Sequence, residues 1–127
     1  MVINRLDSIL MVLVGLSLFT IVMQAQGVVY VDKMSPRTSG EDGLSWATAF
    51  DTIQEGIDLS ASLGGGEVWV AGGPYGGSGY VYEEDRPDVW GNVPVAGSLI
   101  LEDNVHLYGG FEGYWGIQET SLNERNP

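Results

Sequence analysis

The chain has no cysteine and one histidine, and it is poor in positive charge, with 5 Lys and Arg against 17 Asp and Glu. Without cysteine there is no disulfide framework and no thiolate chemistry, although that absence leaves the compartment open. With His106 alone, a two-histidine metal site and an acid/base pair of imidazoles are excluded. The charge balance excludes ordinary nucleic-acid binding, which needs clustered Lys and Arg to displace counterions from phosphates. It also disfavours an anionic membrane surface. Only Arg5 and Asp7 are charged before Gly27, so the 100 residues from Val28 onward carry the whole formal net charge of −12.

Long apolar runs are also scarce. The one candidate is Ile9 to Met23, interrupted by Gly15, Ser17 and Thr20. It follows a short polar start containing Arg5 and precedes the small, polar Gln24 to Gly27, which is the layout of a secretory signal peptide spanning 1–27. Cleavage after Gly27 places Ala25 and Gly27 at the two small-residue positions; cleavage after Ala25 is the alternative. An uncleaved membrane anchor is the competing reading, but the uninterrupted run is short for a span of about 20 residues.

What is abundant is glycine, at 19 residues without a collagen period, which indicates a chain that turns often. Val28 to Asp32 is β-branched and aromatic and reads as a strand, and Lys33 to Gly43 as a surface loop. Trp46, Phe50, Ile53 and Ile57 are spaced by 4, 3 and 4 and predict one amphipathic helix over Trp46–Leu63, with Asp51, Glu55 and Asp58 on another face. Thr48 and Asp51 offer a capping box, and Gly64, Gly65 and Gly66 end the helix. Glu67 to Ala71 reads as a strand with Val68 and Val70 on one face and Trp69 on the other. Gly72 to Gly97 has no extendable periodicity and reads as a long loop, followed by short strands at Leu99–Leu101 and Val105–Tyr108.

Val68 to Gly73 and Val105 to Gly110 share the pattern Val, any, aliphatic, any, Gly, Gly, displaced by 37 positions. Short strands with inward aliphatics, each ended by glycines, suit a solenoid of stacked coils. The preceding amphipathic helix then suits a cap, because an open coil end exposes apolar side chains and unpaired edges.

These segments carry a family resemblance. The order Phe50 to Ile57, Gly64-Gly65-Gly66, Glu67 to Val70 and Leu99 to Gly110 resembles the N-terminal part of right-handed parallel β-helix proteins of the pectin-lyase-like superfamily. Tyr30-Val31-Asp32, Gly43 to Ala49, Tyr108 to Gly113, Glu119 to Leu122 and Arg125 resemble the opening of large secreted bacterial β-helix repeat proteins. The segments Gly76–Ala96 and Tyr114–Ile117 depart from that pattern and read as loop insertions. The resemblance implies a mainly β fold, a right-handed parallel β-helix start over 28–127 with a capping α-helix, and further coils missing from this chain. It implies polysaccharide lyases or glycoside hydrolases among full-length relatives. None of their catalytic positions has a match here, so this segment is expected to be non-catalytic.

Independent chemistry in the sequence is thin. His106 alternates with Val105 and Leu107, which predicts a plain surface histidine. Gly72 to Gly79 lacks the following helix and the Lys of a phosphate cradle. In the long loop, Tyr75, Tyr80, Tyr82 and Trp90 offer flat faces for stacking on sugar rings, while Glu83, Glu84, Asp85 and Asp88 could hold calcium. The competing reading is that the aromatics pin the loop to the coil and the acids stay solvated. A strongly acidic chain repels polyuronates unless cations bridge them, whereas neutral glycans carry no such penalty. Two functions therefore stand: a secreted or cell-surface module that binds extracellular polysaccharide, and a structural or adhesion protein in which the solenoid is a rigid spacer.

Overall fold

The computed structural model describes residues 26–74, 77–82, 85–87, 94–96 and 98–126, with 85–87 and 94–96 as backbone alone. The expected signal peptide lies outside the described residues except for Gln26 and Gly27. Among the described residues no helix is long and apolar enough to cross a membrane. The elements are β1 (Val28–Val31), α1 (Ile53–Ser62), β2 (Gly66–Ala71), β3 (Asp85–Pro87), β4 (Pro94–Ala96) and β5 (Val105–Phe111). Short 3-10 turns lie at Trp46–Thr48 and Leu122–Glu124.

β1, β2 and β5 form one sheet in that order, with both neighbouring pairs parallel. Val28 stands opposite Glu67 and Gly66 opposite Val105, so each strand lies 39 positions after the one beside it. The sequence repeat at 37 positions is therefore two residues out of register, and Val68 faces Leu107. A slip of two keeps every side chain on its own face. Its cause is a difference in where the glycines fall. Gly72 and Gly73 follow β2, whereas Gly109 and Gly110 lie inside β5 as a bulge, with Trp69 opposite Tyr108 but Ala71 opposite Phe111. The extra residue brings Phe111 onto the face of Tyr108, and Gly110 takes the required positive φ of 86°.

The two faces of the sheet bury different side chains. Val29, Val31, Val68 and Val70 form one core, joined by Phe50, Ile53, Leu59 and Tyr82. α1 covers this face and approaches so closely that a Cβ on Gly56 would lie 2.6 Å from Val31 Cγ2. Trp46, Trp69, Ala71 and Phe111 form the other core, with Tyr30, Tyr80, Tyr108 and Tyr114 around it. Trp69 and Phe111 stack at 4.7 Å between centroids. The buried indoles keep their donors satisfied: Trp46 Nε1 donates to Glu119 O at 2.9 Å and Trp69 Nε1 to Glu67 Oε2 at 2.7 Å.

The long helix expected from Trp46 to Leu63 is divided. Phe50 N donates to Tyr30 O and Asp32 N to Phe50 O, so the chain at Phe50 runs along the outer edge of β1 instead of coiling. Trp46 consequently packs in the aromatic core, on the opposite face from Ile53 and Ile57. The cap is Thr52, whose Oγ1 accepts from Glu55 N at 3.3 Å, and not Thr48. The strand expected at Leu99–Leu101 is absent; that segment is clipped to α1 by Ile100 N donating to Gln54 Oε1 at 2.7 Å and Gln54 Nε2 to Ile100 O at 3.1 Å. Within the expected long loop, β3 and β4 pair antiparallel.

The two sheet edges differ. β1 is covered by the Gly43–Phe50 segment, with Tyr30 N donating to Gly43 O at 2.8 Å. β5 has no second strand neighbour among the described residues, although Asn126 N donates to Gly110 O at 2.6 Å.

Candidate functional site

Parallel strands bring their carboxyl ends together, and open α/β sheets bind ligands in the crevice there. Beyond the ends of β2 and β5 lies a hollow of about 120 Å³ lined by Gly72, Gly73, Gly110, Phe111, Glu112 and Asn126. Gly73, at φ 98°, lets the Tyr80 ring approach closely: a Cβ there would lie 3.0 Å from Tyr80 Cε1. Tyr80 N in turn donates to Gly72 O at 2.9 Å, which fixes the ring beside the hollow. Pockets for drug-sized ligands span roughly 300–1,000 Å³, so this one admits a polar substituent and not a whole ring.

Two buried carboxylates, Asp32 and Glu119, hold the turn that follows β5. Asp32 accepts from Met34 N at 2.9 Å and through Oδ2 from Tyr114 N at 2.8 Å. Glu119 accepts from Glu112 N and, at 3.2 Å, from Gly113 N. Together they satisfy successive N–H groups of the turn after β5. These acids are used as backbone acceptors. Burial, followed by the charge of Asp32, raises the Tyr80 pKa.

The aromatic loop residues do not assemble into one platform. Tyr82 packs against the valine core and donates its hydroxyl to Ala71 O at 2.6 Å, with Lys33 N donating back to that hydroxyl at 3.4 Å. Tyr80 packs against the aromatic core on the other face. Tyr75, Trp90, Glu83, Glu84 and Asp88 lie outside the described residues, and Asp85 begins β3, described by its backbone. His106 is exposed on β5 opposite Glu67.

The structure gathers other acids instead. One carboxylate oxygen from each of Glu41, Asp51 and Glu55 lies within 4.8 Å of the others, on the exposed surface. Asp51 N donates to Glu41 Oε1 at 3.0 Å, and Thr52 Oγ1 to Glu55 Oε2 at 2.6 Å. Burial raises the Glu55 pKa most; Asp51 and Glu41 add to the rise, and the Thr52 hydrogen bond opposes it. Calcium takes six to eight oxygens at 2.3–2.6 Å, so the cluster supplies at most part of a shell. Arg37 competes for it, with Nε 3.2 Å from Glu41 Oε1. In sequence only the helical spacing of Asp51 and Glu55 hinted at the group; Glu41 arrives because Phe50 is drawn onto β1.

A second feature the sequence reading passed over is Trp115, in a segment read as an insertion. The residue is 61% exposed, against 4% for Trp46 and Trp69. Its ring is nevertheless held: Nε1 donates to Met34 O at 2.7 Å, and the ring meets Tyr114 edge-on at 5.0 Å. Comparison with protein-family models, with curated proteins and with solved structures returned no match.

Proposed function

We propose that the chain opens a right-handed parallel β-helix on a secreted or cell-surface protein, where it serves as a rigid structural or adhesion module. The supporting observation is the constant register: the same 39-position displacement separates β1 from β2 and β2 from β5. Stacked coils of one repeat length would give such an equal displacement between successive parallel strands. In this reading α1 is the cap that buries the valine face, and the covered edge of β1 directs further coils to β5. Tyr80 and Tyr82 of the long loop also fit a scaffold, since both are used in packing. No described residue is read as catalytic.

Binding of a neutral extracellular polysaccharide is the second reading, favoured by the hollow beside Tyr80 with Glu112 and Asn126 as hydroxyl partners. Within either reading calcium has a candidate place at Glu41, Asp51 and Glu55; a rise in melting temperature with calcium chloride that disappears in Glu55→Gln would support it. A glycan array of neutral polysaccharides separates the two functions. The scaffold reading expects no signal above background. A signal that Tyr80→Ala and Asn126→Ala both abolish would overturn it in favour of polysaccharide binding.

A further inference from the structure

We propose that Trp115 and Glu112 form a docking point for a basic peptide segment of a partner protein, with a Lys or Arg side chain laid over the indole. The indole is exposed yet held by Met34 O and Tyr114, so little side-chain freedom is lost when a ligand covers it. The Glu112 carboxylate lies against Gly116, the residue that follows Trp115: a Cβ there would be 2.5 Å from Oε2. Among the described residues the Glu112 side chain makes no hydrogen bond. An indole face and a free carboxylate in one turn match a cation, which tryptophan binds best among the aromatic side chains.

Charge decides between a cation and a neutral sugar. A net charge of −12 concentrates cations near the surface and repels anions, but does nothing for a neutral glycan. Nearby basic residues of the chain are committed elsewhere. Lys33 Nζ donates to Val81 O at 2.5 Å, Arg37 pairs with Glu41, and Arg125 lies over the Tyr108 ring at 5.5 Å. The last contact is the same chemistry satisfied internally. Met34, whose carbonyl accepts from the indole, is itself more than half exposed and suits an apolar residue beside the partner's cation. This inference is independent of the β-helix reading.

The test uses the full chain and the capped peptide Gly-Arg-Leu-Arg-Gly, following the Trp115 indole N–H signal by NMR, assigned by its loss in Trp115→Phe. The peptide should shift that signal in a salt-dependent way and leave those of Trp46 and Trp69 in place. Affinity read by fluorescence anisotropy of the same peptide carrying a dye should fall about fivefold or more in Trp115→Ala, with Trp115→Phe in between. Glu112→Gln should weaken it and flatten the salt dependence. Equal binding by the Trp115→Ala variant, with its remaining indole signals unmoved, would reduce the effect to general attraction and overturn the proposal. So would a shift of the Trp115 signal by cellohexaose and not by the peptide. A positive glycan array abolished by Tyr80→Ala and Asn126→Ala, which would overturn the scaffold reading, would leave this result untouched, so the two proposals fail separately.

Discussion

Asp32 shows how single side chains hold this protein together. It is completely buried, and its two oxygens accept the backbone N–H groups of Met34 and Tyr114, fastening the end of β1 to the turn after β5 across 82 positions of sequence. A carboxylate so placed works as a bracket between β1 and the turn after β5. Asp32→Ala leaves two N–H groups without their acceptor, and an unsatisfied buried group costs about 1–3 kcal/mol. Urea denaturation should show a loss of at least about 2 kcal/mol. An unchanged midpoint and slope would remove the bracket. Glu55 gives a pH signature of the opposite sign to an ordinary stabilising acid. Its folded pKa is raised, chiefly by burial, so the folded state holds the proton more tightly than the unfolded one. Its stabilising contribution is fully present below the unfolded pKa and is lost as pH rises through the folded value. Glu55→Gln should therefore gain stability relative to the parent at pH 7, and that gain should shrink as pH falls towards 4; thermal melts of both proteins across that range measure it.

At the scale of elements, α1 is defined by contact more than by propensity. Gly56 costs the helix about 1 kcal/mol relative to Ala, yet a Cβ there would sit 2.6 Å from Val31 Cγ2 and 2.9 Å from Val68 Cγ1. Overpacking of this kind costs about 1–3 kcal/mol, which exceeds the propensity gain. Gly56→Ala should therefore lower the melting temperature, whereas a rise would mean that α1 lies further from the sheet. The same element shows what the sequence could and could not disclose. Alternation in Glu67–Ala71 correctly separated Val68 and Val70 from Trp69, because a strand's period of two is local. Spacing between Trp46 and Ile57 misled, because Phe50 spends its backbone groups on Tyr30 and Asp32, 20 and 18 positions earlier along the edge of β1. The two-residue error in the repeat has a similar origin. A Gly-Gly pair looks identical whether it ends a strand or bulges inside one. Of the candidate site, Tyr80 was legible as an aromatic near glycine turns. The hollow, the acid cluster and the fixed indole depend on loops meeting in space.

For the whole molecule the sheet is asymmetric. One outer strand is covered by Gly43–Phe50, and the other, β5, exposes Leu107 at 38% on the valine side and follows Leu101 at 73%. Open edges with apolar side chains invite association, and a lysine on the edge strand opposes it. Leu107→Lys should reduce aggregation of the chain in light scattering at matched concentration while leaving its circular dichroism unchanged; equal aggregation would place the sticky surface elsewhere. The scaffold reading rests on the three strands running parallel at one constant displacement. Backbone NOEs across the strands measure this directly. Contacts should connect Val29 with Val68 and Val68 with Leu107, continuing to Trp69 with Tyr108. Contacts pairing Val68 with Val105, or an antiparallel pattern between β2 and β5, would contradict the 39-position register and the scaffold reading built on it.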